Sequence, residues 1–411
     1  MTPSGEARLS GSLPVQVAAF VAARTVINTM QRMVYPFLPV FGRGLGVDLA
    51  QLSLALSLRS ATGVLGPILA SIGDSRGRKT GLLTGMGLLT LGAAVISLSP
   101  TYPAFVAMLV LSITANLVFI PSVQAFVGDR IPYQRRGLVV ALTEFAWSLS
   151  FIFGVPAVGF LIERGGWQAP FPWLTLLGLL MIGGLWWIVP GDQPAPGARH
   201  GLWRSLGLIA HSPAARAGVV VGVCMSGANE LVNLIFGVWL EDAFAVKIAT
   251  LAIASLIIGL SEMSGELLVT GFVDRLGKRR AAGLGFLLNG AAALALPALG
   301  VELNTSLVGL FLFYITFEFT VVSSLALMTE VLPEARATFI AAYIASTALG
   351  RALGSLAAPS LYRFGQGLDG LPAILPTVSA ALLIDLLALA LLWRIPDGQP
   401  PAALQAAQSP V

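Results

Sequence analysis

The chain has 411 residues, 56% of them hydrophobic and 11% charged, with a formal net charge of +4. A soluble domain carries about a quarter charged residues, and no soluble fold of this size hides so much apolar surface, so the natural solvent of this chain is lipid. The small basic excess does not point to nucleic acid, and the single cysteine, Cys224, in an apolar stretch, excludes a disulfide framework and reads as a buried, inert thiol.

About 20 mostly apolar residues cross a bilayer as a helix, and the chain has twelve such runs. The first, 14–41, is full length and has no small-residue cleavage pattern, so it reads as a retained helix. Its Arg24, Asn28, Gln31, Arg32 and Tyr35 recur at spacings of three and four and share one face. The second, 51–72, holds Arg59 and leads into the charged loop GDSRGRK at 73–79. The third, 81–99, is uncharged; the fourth, 103–127, offers Asn116 and is followed by DRIPYQRRG at 129–137. The fifth, 137–161, carries Glu144 and the stretch FGVPAVG at 153–159, and the sixth, 169–189, precedes the longest polar break, 190–212. The seventh, 213–240, places Ser226, Asn229, Glu230 and Asn233 on one face. The eighth, 248–272, holds Glu262 and Glu266 one turn apart and ends in VDRLGKRR at 273–280. After the ninth, 280–298, the tenth, 305–329, carries Tyr314 and Glu318 and is followed by EVLPEARA at 330–337. The eleventh, 337–361, holds Arg351 and the twelfth, 371–394, holds Asp385. These runs are continuous rather than alternating, which excludes a β-barrel. The 45 glycines suit helices that pack closely in lipid.

An even number of spans puts both termini on one side. Sixteen basic residues then fall on the terminal side, four on the other and four within helices, so the positive-inside rule places both termini in the cytoplasm. The break at 190–212 divides the chain into an N-terminal six-helix half, 1–189, and a C-terminal six-helix half, 213–411. The halves repeat: Asp74 matches Asp274 at an offset of 200, while Asn28 and Asn229, Asp129 and Glu330, and Arg135 and Arg336 match at 201. Matched polar residues at a near-constant offset mark an internal duplication.

The loop from Ala70 to Lys79, A-S-I-G-D-S-R-G-R-K, resembles the pattern G-x-L-a-D-r-x-G-r-k of the major facilitator superfamily at Asp74, Gly77, Arg78 and Lys79. The leading glycine is replaced by Ala70, and the second copy supplies Asp274, Arg275, Gly277, Lys278 and Arg279. The resemblance covers nearly the whole chain. It implies an all-α membrane protein of two pseudo-symmetric six-helix bundles, working as a monomer by alternating access. It also implies that the loop residues Asp74, Gly77, Arg78, Asp129, Arg135, Asp274, Arg275 and Gly277, with Arg351, act in gating, the loop contacts bridging the two halves to hold the outward-facing state and breaking when the inner side opens, with Asp129 the partner expected for Arg78. In this family helices 1, 4, 7 and 10 line a central cavity. That implies a substrate site built from Arg24, Asn28, Arg32 and Asn116 of the first half and Asn229, Glu230, Asn233 and Glu318 of the second.

Ionisable groups at bilayer depth are costly and face a cavity or a partner. Glu262 and Glu266 cannot both ionise cheaply so close together, which makes them, with Glu144, candidates for proton coupling. Pro156 and Gly159 loosely match the antiporter signature G-x-x-x-G-P-x-x-G-G, whose Gly-Pro step is broken by Val155; this tilts the reading toward export. No phosphate-cradling G-x-x-x-x-G-K-[ST] loop and no metal-ligand cluster occurs in the sequence, so neither ATP hydrolysis nor a cofactor is expected. No enzyme-like His/Asp/Ser constellation lies at the interface. The expected function is proton-coupled export of a small organic solute, multidrug-efflux-like, from the cell (inner) membrane. The alternative is a proton-coupled symporter for a small anionic metabolite, suggested by Arg24 and Arg32.

Overall fold

The computed structural model describes residues 12–66, 68–69, 77–131, 133–191 and 202–395, all helical or in short connections. Eleven helices are long and apolar enough to span a membrane. They are α1 (Leu13–Arg32), α3 (Arg78–Leu98), α4 (Tyr102–Arg130), α5 (133–165) and α6 (Pro170–Ile188), then α7 (Pro213–Phe244), α8 (Ile248–Leu276), α9 (Lys278–Leu299), α10 (Leu303–Val331), α11 (Arg336–Gln366) and α12 (Leu375–Leu392). The twelfth span, α2 (Leu49–Leu65), is shorter in its described part. Its start is fixed by a capping box in which Asp48 Oδ1 accepts from Gln51 N at 2.8 Å and Gln51 Oε1 accepts from Asp48 N at 3.1 Å.

The helices form two six-helix bundles. The bundles meet along two seams, α2 against α11 and α5 against α8. Because α1 starts and α12 ends at the same end of the molecule, that end is called terminal and the other distal. Phe37, Phe41 and Val158 of the first bundle and Leu234, Trp239 and Leu251 of the second lie in one continuous apolar core. At the terminal end the second bundle has a core of its own around Val221, Met328 and Phe339. The bundles are thus fused distally and separate terminally.

Two departures from regular helix matter for the site. The run 14–41, expected as one helix, breaks at Met33–Phe37 and resumes as a short helix, Leu38–Leu45. Pro36 explains the break: it donates no hydrogen bond and pushes the residue before it away from the helical region. Tyr35 N and Leu38 N reach back only three residues, to Arg32 O at 3.3 Å and Tyr35 O at 3.4 Å. In α5 the stretch Ser150–Gly154 is a π-turn, with Val155 N–H bonded to Ser150 O, just before Pro156. The glycines of that stretch are contact points. A Cβ on Gly154 would lie 1.9 Å from Thr29 Oγ1, and one on Gly159 would lie 2.9 Å from Ala252 Cβ across the α5–α8 seam.

The duplication is visible in three dimensions. Gly77 and Gly277, at φ of 93° and 81°, precede α3 and α9, a conformation that disfavours any side chain. Arg78 Nε donates to Asp129 Oδ2 at 3.0 Å, and Lys278 Nζ bonds Glu330 at the equivalent place. Both ion pairs lie within a bundle, so neither bridges the halves. Asp74 lies outside the described residues, as do the side chains of Arg135 and Asp274; Arg275 is exposed. Within the expected linker, Leu202–His211 is helical and buries Ile209 in the terminal core of the second bundle. Asp385 is buried in α12.

In lipid, helices hold together by close packing rather than hydrophobic exclusion. α7 and α11 approach backbone to backbone, so that a Cβ on Gly350 would sit 2.2 Å from Val223 O. Gly350→Ala must therefore push two backbones apart and should cost about 1–3 kcal/mol. Gly87→Ala, in α3 with nothing within 4 Å, should leave stability unchanged or raised. Thermal unfolding of the two variants in detergent separates these outcomes.

Candidate functional site

Between the two seams lies a cavity of about 260 Å³, lined by residues from both bundles. Its walls carry four arginines (Arg24, Arg32, Arg59 and Arg351) and four glutamates (Glu144, Glu262, Glu266 and Glu318). The apolar runs alone would not bring these together. They meet because the helices that carry them turn these positions inward, Arg32 at the end of α1 beside its break and the others from within their helices.

The central contact joins the bundles. Arg32 Nη2 of α1 lies 2.5 Å and 2.6 Å from the two carboxylate oxygens of Glu262 in α8, and both side chains are buried. Nη1 donates to Trp147 O at 2.9 Å. The guanidinium also stacks on aromatic faces, 4.1 Å from the Trp147 ring centre and 3.5 Å from that of Phe151. Arg24, two turns earlier in α1, bonds Glu144 Oε2 at 2.6 Å and Thr143 O at 2.9 Å. Two of the four arginines are therefore neutralised by carboxylates of the α5–α8 seam.

A second network ties the broken end of α1 to the other bundle. Arg59 of α2 donates to Gln31 O at 3.0 Å and to the Tyr35 hydroxyl at 3.1 Å. Tyr35 donates on to Glu230 Oε1 of α7 at 3.0 Å, and Ser355 of α11 donates to the same oxygen at 2.8 Å. Asn233 Nδ2 approaches Glu230 Oε2 at 3.4 Å, while its carbonyl accepts from Tyr314 at 2.7 Å. Gln31 holds α1 to α4, donating to Ser112 O at 2.7 Å and accepting from Asn116 at 3.1 Å. The break at Pro36 is what turns Tyr35 toward α7.

Three charged groups on the walls have no hydrogen bond among the described residues: Glu266, Glu318 and Arg351. Gly265 explains how two of them come together, since a Cβ there would sit 2.8 Å from Glu318 Cβ. The missing side chain lets α10 close onto α8 between Glu262 and Glu266.

Of the residues expected to bind substrate, Arg24, Arg32, Asn116, Asn229, Asn233 and Glu318 line the cavity. Glu230 lies behind the wall, held by Tyr35 and Ser355. Asn28 is fully buried away from the cavity, and neither end of its amide has a partner among the described residues. Its repeat partner Asn229 lines the cavity with Nδ2 equally unpartnered. The three acids expected to handle protons, Glu144, Glu262 and Glu266, all face the cavity, as does Arg351. Arg59, Trp147 and Phe151 were not placed in the site from sequence. The signal for the aromatics was available, because Glu144, Trp147 and Phe151 share a helix face at spacings of three and four.

The sequence pattern of the Major Facilitator Superfamily matches residues 20–355. The chain belongs to this superfamily. It is therefore a multi-pass membrane transporter for small molecules. The uncharacterised MFS-type transporter YceJ of Bacillus subtilis (strain 168) is 25% identical over 324 residues, covering 77% of this chain and 81% of that protein. The uncharacterised MFS-type transporter YwfA of the same strain is 33% identical, but the match spans only 34% of either chain. The inner membrane transport protein YdhP of Escherichia coli (strain K12) is 24% identical over 48% of this chain and 49% of its own. Among solved structures, a D-xylose–proton symporter superposes with a TM-score of 0.74 at 16% identity, covering 93% of this chain and 97% of its own. An inward-facing, unoccupied bacterial homologue of the human lysosomal transporter Spinster gives 0.73 at 14% identity, covering 95% and 100%. These likenesses establish the transporter fold.

The Arg32–Glu262 pair can be weighed directly. Arg32→Ala leaves a buried carboxylate without its cation and should lower stability by about 3–5 kcal/mol. The double variant Arg32→Met with Glu262→Leu removes both charges and should regain most of that loss. Unfolding temperatures of the two variants test this; a double variant as unstable as the single one would show that the aromatic stacking matters more than the charge.

Proposed function

We propose that the chain is a proton-coupled secondary transporter that exports a small organic solute across the cell (inner) membrane by alternating access. One observation carries the reading. Glu266 and Glu318 face the central cavity with no hydrogen-bond partner among the described residues, beside a carboxylate, Glu262, whose own partner is on the other bundle. A proton or a cationic solute arriving at Glu266 or Glu318 changes the field at Glu262 and so the strength of the contact that joins the bundles. This is a physical route from binding to rearrangement.

With both termini in the cytoplasm, as the distribution of basic residues favours, the fused distal end is the outer face and the cavity awaits solute from inside. In this reading residues 1–189 and 213–411 rock as two units, as a monomer, about the seams. Gly77 and Gly277 set the loops, and the Arg78–Asp129 and Lys278–Glu330 pairs stiffen each bundle at its terminal end while Asp74, Arg135, Asp274 and Arg275 complete the gating loops. The modest, charged cavity favours a compact polar solute over a large lipophilic drug. The second reading, a proton-coupled symporter for an anionic metabolite, draws on Arg351, the cavity arginine with no hydrogen bond among the described residues.

A pH-sensitive dye trapped in proteoliposomes tests the coupling. An imposed acid-inside gradient should collapse on addition of transported solute from a panel of cations, zwitterions and anions, and Glu266→Gln or Glu318→Gln should abolish the response. An unaltered response in both variants would remove the proposed proton site. Alternating access has its own test. In a Cys224→Ala background, Gly159→Cys with Ala252→Cys places two thiols at contact distance across the distal part of the α5–α8 seam. Oxidation should stop transport and reductant should restore it.

A further inference from the structure

The cavity is electrically two-sided, and its sidedness follows the seams. Along the α5–α8 seam and the adjoining α10, Glu144 and Glu262 are matched by the arginines of α1, which leaves Glu266 and Glu318 without a cation in contact. Glu318 is 8% exposed and accepts no hydrogen bond from any described residue. Along the α2–α11 seam the imbalance is reversed: Arg59 and Arg351 stand against the single carboxylate of Glu230. Glu230 is already bonded by Tyr35 and Ser355, and Arg351 makes no hydrogen bond among the described residues. On α7, packed against α11, Asn229 lines the same cavity as Arg351, and its buried Nδ2 is without an acceptor among the described residues. One wall therefore holds unmet acceptors and the other unmet donors. Among the described residues no ion pair joins Arg351 to Glu318, although both line the cavity.

We propose that the solute is a compact zwitterion, with an ammonium or guanidinium group received by Glu266 and Glu318 and a carboxylate received by Arg351 and Asn229. The proposal rests on the transporter reading above and names its substrate class. A purely cationic solute leaves Arg351 and the Asn229 amide unmet. A purely anionic one places its charge between two free carboxylates and a single free arginine. A zwitterion satisfies both walls, and a cavity of about 260 Å³ suits a molecule smaller than a drug-sized ligand.

The test uses straight-chain ω-amino acids of two to six carbons, each with its amine-only and acid-only counterpart, on purified full-length protein and on proteoliposomes. Binding is read by thermal stabilisation and titration calorimetry, coupling by the trapped pH dye. At least one chain length of the amino acid should bind about tenfold more tightly than either counterpart. Arg351→Gln should remove the advantage of the amino acid over the amine and leave the amine bound. Glu318→Gln should remove its advantage over the acid and leave the acid bound. These opposite losses distinguish recognition from general destabilisation. Amines binding as well as every amino acid, or no member of the series binding, would overturn the zwitterion. Binding without any proton movement would leave the substrate class standing and overturn the proton coupling instead. Proton movement with amines alone would do the reverse.

Discussion

A buried charge in a membrane protein must find its counter-charge inside the protein, and the Arg32–Glu262 pair meets that demand across two bundles. Among the described residues neither partner forms a second ion pair. Each bundle thus depends on the other to neutralise a group at its own centre. Hydrophobic attraction cannot supply this cohesion, since lipid is as apolar as the helices it surrounds. The aromatic faces of Trp147 and Phe151 and the carbonyl of Trp147 hold the guanidinium in place, so the pair is directional as well as strong. The contacts that join the bundles include this pair, the tyrosine-centred network, the Arg43–Glu241 ion pair and two glycine-rich seams.

The architecture was largely readable in the sequence because its physical basis is one-dimensional. Apolar length specifies a span, and a polar or glycine-bearing interruption ends it. The repeat was readable for a similar reason: Gly77 and Gly277 need a backbone conformation that other residues resist, and the pairs Arg78–Asp129 and Lys278–Glu330 preserve charge at a near-constant offset while changing residue type. The site was only partly readable. Helix periodicity identifies which residues share a face, which is why Arg24, Arg32, Asn229 and Asn233 could be grouped. It says nothing about how far a helix is rotated or where another helix ends its approach. Asn28 shares the face of Arg24 and Arg32 yet is sealed inside the protein, whereas Gln31 reaches α4 and the cavity. Glu230 is adjacent to Asn229 in sequence but is drawn behind the wall by Tyr35.

The broken first span illustrates the limit most directly. Its composition is continuous, so Pro36 could have been a kink within a helix. The deciding contacts lie in the other bundle, on α7, and only the assembled structure contains them. The unwound turn converts a lipid-crossing rod into a rigid lower part and a separately oriented cap. Tyr35 stands at the joint and connects Arg59 to Glu230.

Gly237 of α7 sits against that same unwound turn. A Cβ there would lie 2.7 Å from Pro36 O and 2.8 Å from Tyr35 O, both backbone atoms with no rotamer to yield. Every amino acid that a mutation could place at this position carries the missing carbon. Position 237 therefore has no neutral neighbour in sequence space. Drift there is arrested by a clash with main chain on the opposite bundle, and exploration of new cavity chemistry must proceed through residues on the walls while this point of contact stays fixed.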